Sequence, residues 1–302
     1  VLMLTTYTSK NLILPVVRDV AATDLSGTTC VLTHTNKEAL QVMGLLVHHG
    51  FPAKLIQSNE GFNVFNLLEV RFFVEHLHFS QDTYRINEEI WNTAKRALWD
   101  RYRKSSKIHI CIALIREFDK SNPKIKYKTD FITFIRESKL EDFIHPEGES
   151  IYVSTMHKSK GKEFDNVFLM LQDFDQRTDR GKRQLYVALT RAKRLLSIHT
   201  NKDFLNDIAI PAMSHRKDDA DYGQSEIVVI QLSHKDIWLD YFIYRQNIIA
   251  PLQTGDTIHV NDKGCTNVQG QTILKFSGAF KQSLSVWEEQ GYAVESAQVI
   301  YI

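Results

Sequence analysis

The sequence of 302 residues lacks the features of membrane, exported and metal-binding proteins. No run of about 18 consecutive apolar residues occurs, so no segment has the length that a membrane-spanning helix needs. The first residues lack the basic-then-apolar order of a signal peptide. The three cysteines, Cys30, Cys111 and Cys265, have no metal-ligand spacing. We therefore expect a cytoplasmic protein with buried thiols, no membrane partner and no metal ligands of its own.

The loop that cradles nucleotide phosphates is also missing. No GxxxxGK[ST] pattern occurs, and no acidic pair follows a strand pattern in the way that a magnesium-nucleotide site requires. The net charge is only +1, so the overall charge does not indicate a nucleic-acid binder. Because the sequence opens at Val1 without a start methionine, we expect it to be a fragment of a longer protein.

What is present is the composition of a folded globular chain, with 43% hydrophobic and 24% charged residues. The length exceeds a typical domain of roughly 100 to 200 residues, which predicts two or three structural units. Positive charge is concentrated locally. Residues 151–200 contain ten basic and five acidic residues, a balance that suits phosphate binding.

Strand and helix patterns alternate within residues 1–79 and 149–210, which predicts an α/β domain with a parallel sheet and helices on both faces. Asn36 is a good helix N-cap, and Gly50 marks a helix end. The predicted strands are residues 29–33, 54–56, 150–154, 166–171 and 195–199, and the predicted helices are residues 38–48, 64–77 and 181–193.

The rest of the chain has other patterns. Residues 80–148 carry amphipathic helical patterns without a strand, which predicts a helical insertion in the sheet domain. Residues 211–224 are polar and predict a linker. Residues 225–302 predict a small accessory domain of mixed or barrel-like β structure. The elements predicted in these parts are helices 90–102, 108–118, 131–143 and 236–251, and strands 227–232, 255–260, 271–276 and 297–302.

Aromatic residues in these two parts have two interpretations. In the insertion, helical spacing favours a hydrophobic core over a base-stacking surface for Tyr84, Trp91, Trp99, Tyr102 and Tyr127. In the accessory domain, a core is again favoured over a partner-binding surface for Trp238, Tyr241, Phe242 and Tyr244.

The most informative run follows the predicted strand 150–154. It reads as a strand end, a polar loop, a glycine that permits close backbone approach and then an acid, an arrangement that can face phosphates and a sugar hydroxyl together. The residues of this loop that carry chemistry are Thr155, His157, Lys158, Lys160, Gly161 and Glu163.

A second run spans residues 183–193, where an apolar helical face is followed by Arg191 and Lys193 at the predicted helix end. A positioned guanidinium stabilises charge on a transferring γ-phosphoryl group, an effect of roughly 10³ to 10⁵ in rate in other NTPases. Arg191 is therefore the candidate catalytic residue.

The two runs resemble motif V (TxHxSKGxEFDxVF) and motif VI (LYVALTRAK) of UvrD/Rep-type superfamily 1 DNA helicases, in the order and with the short gap of that family. Upstream, residues 61–71 resemble the segment after the third strand of the family, and residues 6–10 resemble its motif IV. Residues 225–302 faintly resemble C-terminal extensions of bacterial helicases that join UvrD-like and RecQ-like parts. The resemblance implies the second RecA-like motor domain of a cytoplasmic bacterial helicase, with a role such as DNA repair.

The resemblance also implies roles for single residues. Thr155 and His157 would lie at the single-stranded DNA track, while Gly161 and Glu163 would approach the nucleotide, Glu163 near the ribose. Arg191 would reach the γ-phosphate. Lys158 and Lys160 are expected as further DNA contacts, although each, taken alone, also fits a solvated surface. The expected cofactors are ATP and Mg²⁺, and the expected partner is single-stranded DNA or a duplex with a single-stranded tail.

Two departures from the family pattern leave alternatives open. Thr8 stands where motif IV has an arginine that contacts the γ-phosphate, and the missing phosphate loop belongs to the first RecA-like domain of the family. We expect that domain, which would also hold most of the Mg²⁺ ligands, to precede Val1 in cis. The main alternative is a non-catalytic DNA-binding or regulatory module with a degenerate helicase fold. A helicase domain that serves a nuclease complex is less favoured, because no acidic metal-binding cluster is evident.

Overall fold

The computed structural model describes residues 1–56, 63–77, 85–105, 107–143, 150–208 and 210–300. Tyr84, Gly61 and the last two residues of the predicted strand 297–302 lie outside these ranges. Two compact units divide the chain, the first formed by Val1–Ser58 with Ile144–Ile230 and the second by Asn59–Phe143 with Gln231–Ile302.

Strands and helices are numbered in chain order within the described residues. The strands are β1 (Leu2–Tyr7), β2 (Thr29–Thr33), β3 (Ala53–Ile56), β4 (Arg85–Ile86), β5 (Lys126–Tyr127), β6 (Ile151–Thr155), β7 (Phe164–Leu171), β8 (Ala192–Thr200), β9 (Met213–Asp218), β10 (His259–Asn261), β11 (Gly264–Thr266) and β12 (Thr272–Lys275). The helices are α1 (Ile13–Ala22), α2 (Asn36–His48), α3 (Leu68–His76), α4 (Glu88–Tyr102), α5 (Ile108–Ser121), α6 (Lys128–Glu137), α7 (Asp179–Leu189), α8 (Leu239–Ile243), α9 (Gln246–Ile249) and α10 (Gly278–Glu289).

The first unit is built on a seven-stranded sheet in the order β3-β6-β2-β7-β8-β1-β9, in which every neighbouring pair is parallel. Successive residues of β2 serve opposite faces. Val31 packs in the layer that holds α1 and α2, whereas Cys30 and Leu32 pack in the layer that holds Ala188 of α7. The predicted α/β class, a RecA-like parallel sheet with helices on both faces, is confirmed.

Burial on both faces explains why β2, an interior strand of the sheet, was predictable. All of β2 is buried, and it forms over the predicted residues 29–33. The helix that follows begins at Asn36, two residues earlier than predicted. Thr35, rather than Asn36, is the N-cap, because its side chain accepts a hydrogen bond from the Glu38 amide while Glu38 Oε2 accepts one from the Thr35 amide at 2.7 Å.

The segment 211–224, predicted as a linker, contains a strand of the sheet. β9 pairs in parallel with β1, from Leu2 opposite Met213 to Tyr7 opposite Asp218. Most of β9 is solvent-exposed because it forms the edge of the sheet. An edge strand with charged side chains is protected from pairing with other chains, and it has no alternating apolar pattern to reveal it.

The predicted strand 227–232 is wrong. Its residues form no strand, and the middle of the segment lies on α2 instead. The Gln41 side-chain amide donates to the Val229 carbonyl at 2.6 Å, and its oxygen accepts from the Val229 amide at 3.1 Å. An ideal Cβ on Gly44, one turn further along α2, would collide with the Val229 side chain. One side chain thus satisfies the backbone groups that a neighbouring strand would otherwise satisfy.

In the second unit, residues 64–143 have a hydrophobic core of their own around Trp91, Phe73 and Phe131. The Phe73 and Trp91 rings meet edge to face with centroids 5.0 Å apart. Trp91 and Tyr102 are therefore core residues, whereas Trp99 and Tyr127 are exposed. The predicted helices form, but the third ends at Glu137 and is followed by a 3₁₀ turn, and the short pair β4–β5 was not predicted.

Residues 231–300 of the second unit form a three-stranded antiparallel sheet in the order β10-β11-β12, with three helices. This fits the mixed alternative rather than a barrel. The predicted strands 255–260 and 271–276 overlap β10 and β12, and the predicted helix 236–251 is two short helices, α8 and α9. The sequence analysis missed α10, whose first turn is capped by the Ser277 hydroxyl.

The three cysteines are buried free thiols, as predicted. Burial raises the pKa of Cys265 to about 11 and that of Cys30 well above its usual range, so both stay protonated at neutral pH. In the part of the chain that the structure describes, each helix is too short or too polar to span a bilayer.

Candidate functional site

The motif V loop begins directly at the carboxyl end of β6. Thr155 is the last residue of the strand and is buried, and its carbonyl accepts hydrogen bonds from the amides of Lys158 at 3.0 Å and Ser159 at 3.2 Å. The Met156 amide donates to the Thr33 carbonyl of β2 at 2.9 Å. The chain therefore makes a tight turn that is held against the neighbouring strand.

Side chains of this turn differ in exposure. Ser159 is fully buried and its hydroxyl donates to the Met156 carbonyl at 2.8 Å, which fixes the turn from within. Lys158 Nζ donates to the Asn36 side chain at the start of α2 at 3.2 Å. His157 and Lys160 are exposed. Of the residues predicted to contact DNA, these two have the most accessible side chains, whereas Thr155 offers little surface.

Gly161 is required by its backbone conformation. Its φ is +80°, in the left-handed region that side chains disfavour, and no atom lies within 4 Å of an ideal Cβ at this position. The space beside Gly161 is therefore open. The glycine allows the chain to reverse before Glu163 and leaves its backbone accessible to a ligand.

Arg191 lies in the turn between α7 and β8, not at the end of a helix. The predicted helix 181–193 ends at Leu189, because the chain enters β8 at Ala192. The guanidinium makes three hydrogen bonds, from Nε to the Val187 carbonyl at 2.9 Å, from Nη1 to the Lys162 carbonyl at 2.9 Å and from Nη2 to Thr190 Oγ1 at 3.0 Å. The side chain of motif VI is thereby tied to the loop of motif V.

Backbone contacts join the two motifs at the same place. The Phe164 amide donates to the Arg191 carbonyl at 2.9 Å, and Phe164 lies opposite Ala192 in the β7–β8 pair. Glu163 and Lys193 form an ion pair at 3.4 Å, with side chains 59% and 53% exposed. An exposed pair of this kind is weak and easily exchanged for another partner. Arg191 thus neighbours the segment that contains Gly161 and Glu163.

The predicted DNA-facing residues lie at the carboxyl ends of the strands, and the predicted nucleotide-facing residues lie at the amino ends. Thr155 lies level with Thr33 at one end of β2, whereas Asn166, three residues after Glu163, lies level with Thr29 at the other end. Four residues of extended strand correspond to about 13 Å. Residues 156–163 therefore run from the carboxyl end of β6 to the amino end of β7 and connect the DNA-facing residues to the nucleotide-facing residues.

A buried polar network in the first unit was not predicted. His199 is fully buried, its Nδ1 lies 2.8 Å from the Tyr7 hydroxyl, and its Nε2 lies 3.1 Å from both the Asp19 carboxylate and the Ser197 hydroxyl. Burial acts to raise the pKa of Asp19, but hydrogen bonds and charge from His199 outweigh it and the pKa is lowered. The network joins β1, β8 and α1. The one sequence signal is the alternation of Ser197 and His199 on one face of β8.

The sheet and the joined motif loops define a RecA-like α/β domain. Residues 74–203, which include the motif V loop, α7 and Arg191, match the family model described as the UvrD-like helicase C-terminal domain. Over these residues the chain is similar to that domain. Among solved structures it is similar to the C-terminal domain of a possible DNA helicase from Lactobacillus plantarum WCFS1, with a TM-score of 0.32 and 14% identity, over 66% of this chain and 72% of that chain. No curated protein matches the chain.

Proposed function

We propose that this chain is the C-terminal motor half of an ATP-dependent DNA helicase or translocase. ATP would bind between this half and a first RecA-like domain in cis, which supplies the phosphate loop and most of the Mg²⁺ ligands. The match of residues 74–203 to the UvrD-like helicase C-terminal domain supports the proposal. The observation that carries it is the position of Arg191.

Arg191 is suited to act on the γ-phosphate because its guanidinium is held by both motifs. Bonds to the Val187 and Lys162 carbonyls fix the plane of the group, and a guanidinium has more N–H donors than these bonds use. A pre-oriented cation stabilises charge that develops in the transition state without reorganising first. In this proposal the remaining donors meet the γ-phosphate when the two domains close.

The neighbouring residues would complete the nucleotide side. Glu163 can turn to a ribose hydroxyl at little cost, because its exposed ion pair with Lys193 is weak. Gly161 leaves space for the nucleotide beside its backbone. On the DNA side, His157 and Lys160 are the proposed direct contacts, with Thr155 and Lys158 shaping the turn that presents them.

The motif V loop would couple hydrolysis to movement. Arg191 bonds to the Lys162 carbonyl near one end of residues 156–163, and His157 lies near the other end. A displacement of Arg191 on loss of the γ-phosphate would pull on this segment and shift the DNA-facing turn. Closure on ATP and reopening after hydrolysis would then step the protein along a single strand.

The test is Arg191→Ala in the protein with its nucleotide-binding domain. ATP hydrolysis should fall by about 10³-fold, the order of effect of a γ-phosphate arginine, while affinity for single-stranded DNA stays within about twofold. Arg194→Ala is the matched control, because Arg194 is exposed, nearby in sequence and bonded to Ser26 instead. Unchanged turnover in Arg191→Ala would remove Arg191 from the catalytic role. Robust ATP turnover by the 302 residues alone would contradict a split motor.

One observation favours the regulatory alternative. Thr8 replaces the motif IV arginine, and its amide is occupied by the Asp218 carbonyl of β9 at 3.2 Å. A non-catalytic module predicts no phosphate-loop motif in the gene upstream and no DNA-stimulated ATP hydrolysis by the whole protein. The presence of both would reject this alternative.

A further inference from the structure

A cluster of aromatic and basic side chains lies on the surface of the second unit, where α8 meets β12. It consists of Trp238, Tyr241, Arg245 and Lys275, and we call it the aromatic–cation platform. Trp238 is 52% exposed, and the two rings lie 6.2 Å apart at an interplanar angle of 31°. The interpretation of Trp238 as a core residue is therefore wrong.

The platform is formed around α8 and is held by backbone contacts. Trp238 is the N-cap of α8 and Tyr241 lies within it. Arg245 comes two residues after the end of α8, with its guanidinium over the Tyr241 ring. The Trp238 amide donates to the Lys275 carbonyl at 2.8 Å, and the Ser277 amide donates to the Asp236 carbonyl at 2.8 Å. These bonds hold the start of α8 against β12 and place Lys275 beside the rings.

Both cations contact rings rather than acids. Lys275 Nζ lies 4.3 Å from the Tyr241 centroid and 5.6 Å from the Trp238 centroid, and the Arg245 guanidinium carbon lies 4.8 Å from the Tyr241 centroid. Neither cation forms an ion pair with a described residue. Of the two acids nearest along the chain, Asp240 in α8 forms no ion pair with either cation among the described residues, and Asp236 is bonded to the Ser233 amide and hydroxyl. The positive charge of the platform is therefore available to an anionic partner.

We propose that the aromatic–cation platform binds single-stranded DNA, as a second contact outside the motor loops. The exposed Trp238 ring and the half-buried Tyr241 ring offer surfaces on which bases can stack, and the neighbouring cations can reach phosphates. Single strands are bound in this way without sequence preference. A protein partner with an apolar patch would use the rings but would leave two cations unmatched. The choice of DNA over RNA rests on the proposed function. The evidence for a single-strand-binding surface comes from the contacts of the platform and does not depend on that function.

The experiment measures binding of a fluorescently labelled oligothymidine to the 302-residue chain. The double variant Trp238→Ala/Tyr241→Ala should lose roughly tenfold or more in affinity, because stacking contributes about 1 to 3 kcal/mol per base. Tyr241→Phe keeps the ring and should bind like the unchanged protein. Trp99→Ala is the matched control, since Trp99 is also 52% exposed in the second unit. Its affinity should stay within about twofold.

A crosslinking arm reports the position directly. An oligothymidine that carries 5-iodouracil should crosslink on irradiation to residues 238–241, and the crosslink should persist in His157→Ala/Lys160→Ala, which removes only the motor-loop contact. Failure of the motor proposal would leave this crosslink intact. If the double variant unfolds, Lys275→Glu is used in its place. This variant keeps both rings and should lower the affinity for oligothymidine. Full affinity in the folded variants, or no crosslink at residues 238–241, would overturn the proposal and point to a protein partner.

Discussion

Arg191 and the aromatic–cation platform hold positive charge in two different ways. Arg191 is fixed by hydrogen bonds to carbonyl oxygens, which have direction, so both its place and its plane are set. Lys275 and Arg245 rest over ring faces, where attraction depends mainly on distance. The first arrangement suits a single charged group at one position. The second suits a flexible polymer whose phosphates arrive in many positions.

The largest expected difference comes from replacing arginine by lysine at both places. Arg191→Lys should lower ATP hydrolysis of the whole protein almost as far as alanine, roughly 10³-fold, because one ammonium group cannot reproduce the planar fork. Arg245→Lys should change DNA affinity by no more than about twofold, because a cation over the ring is retained. Parallel assays of ATP turnover and oligothymidine binding make the comparison. If Arg191→Lys retained most of its activity, the orienting role of the carbonyls would be wrong.

The buried pair of Asp19 and His199 in the first unit holds charge in a third way. Its loss should have an effect of intermediate size, on the free energy of unfolding. Asp19→Asn should lower the free energy of unfolding by about 2 kcal/mol near pH 7, because buried His199 loses its anionic partner. The pKa of folded Asp19 lies below its ordinary value of 3.8, so its stabilisation is present above that pH and is lost as the pH falls through the folded pKa. Urea unfolding across a pH series should show the variant and the unchanged protein converging in acid. Exposed Asp24→Asn is the control, and an equal loss there would refute the assignment.

The smallest effect concerns salt. Lys275→Ala and Arg245→Ala should each reduce the slope of log affinity against log salt for single-stranded DNA by about 0.7, the value for one phosphate contact. Lys281→Ala on α10 supplies the reference slope, because Lys281 is exposed and contacts no aromatic ring of a described residue. Identical slopes for all variants would show that the platform cations do not meet phosphates.

The sequence was most informative where strands are buried on both faces. β2 and β7 each contain a continuous apolar run, Cys30–Leu32 and Val167–Leu171, that is fully buried, as is typical of strands covered on both faces. The same reasoning failed for β9, whose residues are polar because the strand lies at an edge. It also failed at residues 227–232, where Ile227 and Val229 are covered by α2 rather than by a neighbouring strand.

At the site, the sequence indicated which residues carry chemistry but not how they are held. The partners of the Arg191 guanidinium include backbone carbonyls, and every residue type has a carbonyl, so no sequence pattern reveals them. The end of α7 before Arg191 was missed as well, because no glycine or proline marks it between Leu189 and Lys193. His199 was missed because its partners, Tyr7 and Asp19, are distant along the chain and meet only after the sheet forms.

The contact between Gly44 and Val229 has a consequence for sequence change over time. The two positions share one small volume on α2, and Gln41 holds both backbone groups of Val229 beside it. A relative that gains a side chain at position 44 must shrink or move the residue at position 229. These distant positions are therefore expected to mutate as a pair, a covariation that would be readable in any sufficiently large set of homologues.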